Sequence, residues 1–139
     1  MPAELAWNTD FTPAAMEAVA GRVLAALRTH SRAILTIGLP SIREPVKARL
    51  LADHLVQLAG LVMSRTEIGQ VYAEGGATAA ALVRRMNWDR MKVLRELAPG
   101  VATLAVKGDR SLLLTIKPGS YVWPAAVQNE VNTNCPANV

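Results

Sequence analysis

Aromatic residues are scarce in this sequence, at 4% of the chain, and Phe11 is the single phenylalanine. Any core must then be aliphatic, built from the Val, Leu, Ile and Ala that supply most of the 51% hydrophobic content. The same scarcity argues against single-stranded nucleic acid as a partner, because bases need aromatic faces to stack on. The lone Cys135 excludes an internal disulfide and a cysteine-based zinc site, and it suits a reducing compartment. With only His30 and His54 besides, no cluster of metal ligands is visible. No apolar run approaches the roughly 18 residues of a membrane span. The N-terminus also lacks the basic-then-apolar order of a signal peptide. The expectation is a cytoplasmic protein with neither membrane nor nucleic acid as partner. The net charge of +4 comes from scattered basic residues. It suits an anionic ligand but reads equally as a solvated surface.

What is present is a clear order of periods, in a length that suits a single domain, 1–139. Residues 1–10 carry no period. Thr12-Pro13 reads as an N-cap with proline at the first helical position, and Met16, Val19, Ala20, Val23, Leu24 and Leu27 share one face of a helix ending near His30. The β-branched run Ala33 to Ile37 reads as a buried strand. Pro45 opens a second helix with a stripe of Leu51, Leu55, Leu58 and Val62. Gln70 to Ala73 follows as a strand and Thr78 to Met86 as a helix closed by Asn87-Trp88. Lys92 to Leu97, Val101 to Val106 and Ser111 to Lys117 are short runs parted by Pro99-Gly100 and Gly108-Asp109. The second of these turns predicts a hairpin of the last two strands. Trp123-Pro124 starts a helical segment, Ala125 to Val131, before a frayed tail. The fold class expected is α/β, a layered domain whose sheet is mixed and largely parallel, flanked by helices, with a β-hairpin near the C-terminus.

The segment with most chemical content is Tyr72-Ala73-Glu74-Gly75-Gly76-Ala77-Thr78-Ala79. A strand, a glycine pair and a helix start in that order leave first-turn N–H groups pointing out of a helix end whose dipole favours negative charge. Glycine lets phosphate oxygens approach the backbone. A plain strand-to-helix turn is the alternative. Lys117 reads either as a cation facing phosphate or as a strand-end lysine in water. Glu74 reads as a solvated carboxylate, a partner of Arg84 or Arg85, or a group positioning water or magnesium. Arg84 and Arg85 lie about two turns from the helix start and read as surface groups. Trp88 and Trp123 read as apolar anchors, with an adenine-flanking role as the alternative. His54 reads as a half-buried, hydrogen-bonded histidine. No histidine is placed to activate Ser31, Ser41, Ser111 or Ser120, so a hydrolase triad is unsupported.

Three segments occur in order: Glu74-Gly75-Gly76-Ala77-Thr78-Ala79, Glu96-Leu97-Ala98-Pro99-Gly100-Val101 and Leu114-Thr115-Ile116-Lys117-Pro118-Gly119-Ser120-Tyr121. Together they resemble the C-terminal, nucleotide-binding domain of the four-carbon acid sugar kinases, long catalogued as a domain of unknown function. The resemblance spans roughly residues 14 to 128. It implies ATP as cofactor, with Mg²⁺ carried through the nucleotide, and an N-terminal sugar-binding domain as the partner that completes the enzyme. On the family's pattern Gly75, Gly76 and Thr78, with Ala77 between them, contact the nucleotide phosphates, and Gly119 in the Lys117-Pro118-Gly119 turn approaches from the neighbouring loop; the residues themselves allow Lys117 to neutralise phosphate charge. Two departures stand out. Ala77 occupies the place of the family's acid, and Pro118, Ser120, Tyr121 and Val122 replace Ser, Asn, Phe and Gly, as expected of a divergent branch. Residues 1–13 hold no counterpart of the sugar domain or of the opening strand, so the chain is expected to be part of a two-domain kinase and inactive alone. The catalytic base is not assigned to any residue here. A non-catalytic nucleotide-sensing or structural module, with self-association into a homo-oligomer, is the alternative.

Overall fold

Proline sets the start of both long helices. In the computed structural model, which describes residues 12–36, 44–108 and 112–132, helix α1 spans Pro13–His30 and α2 spans Pro45–Met63. Expectations that fall on residues 1–10, Ile37, Ser41, Asp109, Ser111 and the tail beyond Asn132 lie outside the described residues. The missing N–H of a first-turn proline costs nothing, because that group has no intrahelical acceptor. The Thr12 hydroxyl accepts from the Ala15 N–H at 3.3 Å, the cap anticipated from Thr12-Pro13. Ser31 ends α1 in the left-handed region at φ 56°, its N–H donating to the Leu27 carbonyl at 2.8 Å.

The remaining elements are β1 (Gln70–Glu74), α3 (Gly76–Arg85), β2 (Met91–Ala98), β3 (Val101–Val106), β4 (Leu113–Lys117) and α4 (Ala125–Asn132). They divide into two compact units. One holds α1, α2 and residues Ala80–Asn87; the other holds Gly69–Ala79 and the chain from Trp88 onward.

The helical unit is held by the stripes expected from periodicity. Val19, Ala20 and Val23 of α1 pack with Leu58 and Val62 of α2, rimmed by Met16, Leu24, Leu27, Leu35 and Leu61. Each large aliphatic side chain buried this way contributes about 1.5–3 kcal/mol relative to exposure. At the surface Arg65 forks onto Glu17, with both N···O distances 2.6 Å. These hydrogen bonds hold the Glu17 carboxyl below the ordinary glutamate range. His54 is buried rather than half-buried.

Ala33 to Thr36 forms no strand, contrary to expectation. A β-branched run becomes a strand only by pairing, and no described strand pairs with it; Ile34 is 75% exposed.

The second unit is built on a four-stranded sheet in the order β1-β4-β3-β2. The α/β class, the mixed sheet and the C-terminal hairpin agree with expectation. The parallel share is smaller than expected: β1 and β4 are parallel, whereas β3/β4 and β2/β3 are antiparallel. The reason is topological. A tight turn at Pro99-Gly100 joins β2 to β3 and can only reverse the chain, and β4 follows β3 after six residues, too few for the crossover that a parallel pair needs. β2 is an edge strand with two register shifts and exposed Val93 and Leu94, the bulged form that protects an edge. Thr103 of β3 and Thr115 of β4 are registered opposite each other and fully buried, with their hydroxyls 2.9 Å apart. The Gln70 amide donates to Thr115 Oγ1 at 3.0 Å, so the buried hydroxyls are satisfied across three strands.

Candidate functional site

Parallel pairing of β1 with β4 places Glu74 in register with Lys117 at the C-terminal ends of both strands. The ladder runs one residue further, where the Gly75 N–H donates to the Lys117 carbonyl at 2.8 Å. The chain then turns at Gly75 with φ +89°, a conformation that a side chain rarely tolerates. Space is not the constraint, since a Cβ there would meet only Thr78 Oγ1, at 3.7 Å. Helix α3 begins at once with Gly76, and the Gly75 carbonyl takes its first intrahelical bond, from Ala79 N–H at 3.0 Å.

The N–H groups of Gly76, Ala77 and Thr78 find no acceptor among the described residues, as geometry requires of a first helical turn. Gly76 and Ala77 are exposed, and a Cβ built on Gly76 meets nothing within 4 Å. Gly119, also exposed, faces this turn: its Cβ would sit 4.0 Å from the Gly75 Cα. Two glycine backbones thus flank an open space in front of a helix N-terminus. The helix starts two residues earlier than the pattern predicted, at Gly76 rather than Thr78, which leaves Thr78 inside its first turn.

Lys117 does not face that space as a free cation. It is 1% exposed, and its ammonium donates to the Pro118 carbonyl at 3.0 Å and to the Tyr121 carbonyl, and lies 3.1 Å from Glu74 Oε1. Three N–H donors meet three acceptors. The Trp123 ring adds a cation–π contact, 5.4 Å from Nζ to its centroid. The other Glu74 oxygen accepts from Trp123 Nε1 at 3.0 Å, and Tyr72 meets Trp123 edge-on at 5.8 Å. Glu74 is therefore the partner of Lys117 and Trp123, not of Arg84 or Arg85, and both of its oxygens are engaged. Arg84 and Arg85 are exposed, as expected. Trp88 is a buried anchor. Among the described residues no three His, Cys, Asp or Glu side chains come together as a metal site.

The middle sequence motif closes on the same loop. Pro99 and Gly100, at φ +77°, turn β2 into β3, and the Glu96 carboxylate accepts from the Gly100 N–H at 2.9 Å. A Cβ at Gly100 would lie 3.0 Å from Tyr121 Cε2 and 3.6 Å from Pro118 Cγ. The Tyr121 ring thus covers the glycine turn while the Tyr121 carbonyl accepts from Lys117. Three segments far apart in sequence, around Gly75, Gly100 and Gly119, converge through named contacts. The role of Trp123 as the lock on Glu74 escaped the sequence reading. Glu74 immediately before the glycine pair and Lys117 immediately before its loop were the signal, since parallel strand ends place such a pair side by side.

A family model described as the nucleotide-binding C-terminal domain matches residues 3–121 of the chain. Comparison with curated proteins gives no significant match. Among solved structures, a domain of unknown function from Bordetella bronchiseptica, crystallised with citrate as a domain-swapped dimer, is similar at TM-score 0.64 and 17% identity, covering 94% of this chain and 32% of its own. A Haemophilus influenzae protein of the same domain-of-unknown-function family is similar at TM-score 0.60 and 15% identity, covering 88% and 31%. The chain spans about a third of the length of these structures, and at such identities they speak for the fold alone. The family model covers most of the chain and all the glycine turns described above, and the chain belongs to the family of nucleotide-binding C-terminal domains that its three motifs resemble in the four-carbon acid sugar kinases.

Proposed function

We propose that this domain binds the phosphates of ATP at the Gly75–Thr78 turn, as the nucleotide half of a kinase that phosphorylates a four-carbon acid sugar. The observation that carries the reading is the set of unpartnered N–H groups of Gly76, Ala77 and Thr78 opening on space that no Cβ fills. Such a turn offers aligned dipoles to an anion without reorganisation. Gly119 completes the rim and puts no side chain in the way of a phosphate at the turn. Phosphoryl transfer asks mainly for positioning and charge neutralisation. This chain supplies the first through its backbone, while Mg²⁺ is proposed to arrive bound to the nucleotide. The sugar acid and the base that deprotonates it belong to a separate sugar-binding domain, and the cytoplasm is the proposed compartment.

A second reading, a nucleotide-sensing or structural module of a divergent branch, is favoured by Ala77 in place of the family's acid and by the inward turn of Lys117. Calorimetric titration of the chain with ATP and Mg²⁺ tests the binding site that both nucleotide readings share. Wild type is expected to bind, and Gly76→Asp to abolish binding by placing a carboxylate where the phosphate sits. The same substitution leaves folding intact or improves it, since an acid at a helix N-terminus is favourable. Absence of heat at millimolar nucleotide sinks the ATP reading for this chain. Binding that persists without phosphate transfer in the full-length protein favours the module.

A further inference from the structure

We propose that Lys117 is a positioning residue, locked by Trp123 through Glu74, whose buried ammonium holds the 118–121 loop against the Gly75 turn and never touches the ligand. The proposal rests on the nucleotide reading only in its consequence for affinity; the holding itself is a property of the chain.

Gly119 must lie near Gly75 for the two glycines to rim one opening, but nothing in the backbone of residues 118–121 pairs with β1. Within the loop the Tyr121 N–H donates to the Pro118 carbonyl at 3.1 Å. What ties the loop to β1 is the Lys117 side chain, which gathers the carbonyls of Pro118 and Tyr121, on either side of Gly119, and the carboxylate of Glu74, next to Gly75. A side chain this buried needs every N–H taken, because each unmade hydrogen bond there would go unrepaid by water. Glu74 alone would be a poor anchor, because its side chain is 55% exposed and free to rotate into water. The Trp123 indole N–H fixes its second oxygen, and the Trp123 ring lies under the ammonium. Trp123 is in turn braced edge-on by Tyr72 of β1. The lock thus begins and ends on β1, with the loop caught inside it.

A lysine reaching for phosphate and a lysine holding a loop differ in what Trp123→Phe does. This change keeps a ring beside the ammonium and alters no charge, but removes the donor that pins Glu74. The holding role requires faster amide hydrogen exchange at Gly75 and weaker ATP binding, by about threefold to tenfold for one lost supporting hydrogen bond. It also requires that the Lys117 ammonium resonance, seen by nitrogen-15 NMR, stays protected from exchange when ATP and Mg²⁺ are added to wild type, while the amides of Gly76, Ala77 and Thr78 shift. Lys117→Met is expected to weaken binding further; if it does not fold, Trp123→Phe carries the test. Trp123→Phe with wild-type Gly75 exchange and wild-type affinity overturns the proposal and leaves the nucleotide reading standing. A ligand-induced loss of Lys117 protection overturns it in favour of direct contact. Faster Gly75 exchange in Trp123→Phe, in a chain that gives no heat with ATP, sustains the holding role and defeats the nucleotide reading.

Discussion

Each of the two units of this chain has its own kind of interior. The helical unit rests on interchangeable aliphatic contacts, Val19, Ala20 and Val23 against Leu58 and Val62. The sheet unit buries Thr103, Thr115 and Lys117, each at 1% exposure or less, and satisfies them across β1, β3 and β4. Burial is non-directional and tolerates any side chain of the right volume. A buried hydroxyl or ammonium accepts one geometry only, because an unmade bond costs more than a made one contributes. The difference suits the proposed nucleotide site, which asks one unit only for stability and the other for two glycine backbones held close together.

The helical unit is expected to respond most to volume. Leu58 is fully buried, so Leu58→Ala is expected to cost about 2–5 kcal/mol through lost transfer energy and the cavity left behind. Leu58→Met keeps the volume and is expected to cost less than about 1.5 kcal/mol. Urea denaturation with unchanged slope measures both. Near-equal losses in the two variants would show that the helical core is as shape-specific as the sheet, and the comparison would fail.

The sheet unit is expected to respond the other way, to chemistry at constant volume. Thr115→Val matches the shape but leaves Gln70 and Thr103 without their shared partner. A loss of about 1–3 kcal/mol is expected, together with faster amide exchange along β4. A neutral result would mean that the threonine pair contributes nothing beyond its methyl groups. Thr115→Ser, which keeps the hydroxyl and loses a methyl, separates the two contributions.

The same contrast explains what the sequence could reveal. Helix positions repeat every 3.6 residues against solvent on the other side, so the α1 and α2 stripes and their proline starts were legible. The glycine turn was legible because few other residues adopt the backbone that Gly75 requires. The orientation of Lys117 was not. In β4, Leu114 and Thr115 are both fully buried, so alternation along the strand does not tell an inward face from an outward one. A lysine at the strand end then looks solvated until its partners arrive, Glu74 from the neighbouring strand and Tyr121 and Trp123 from beyond the turn that follows. Ala33 to Thr36 failed in the opposite sense. Its composition favours a strand, but pairing is a property of the neighbour, which composition cannot supply.

Charge at the surface is expected to matter least. Arg65 holds Glu17 by two bonds at 2.6 Å, and these depress the Glu17 carboxyl below its ordinary value. A carboxyl lowered on folding stabilises the fold above its unfolded value, and that contribution disappears as the pH falls through the folded value. The stability difference between wild type and Glu17→Gln should therefore be constant near neutral pH and vanish in acid below the carboxylate range. It should also shrink in high salt, because both groups are exposed and screened. The effect of Trp123→Phe on Gly75 exchange should survive the same salt, since the ammonium it supports is sealed from counterions. Equal salt sensitivity at both places would mean that Lys117 is as accessible as Arg65, and the loop would then have no internal anchor.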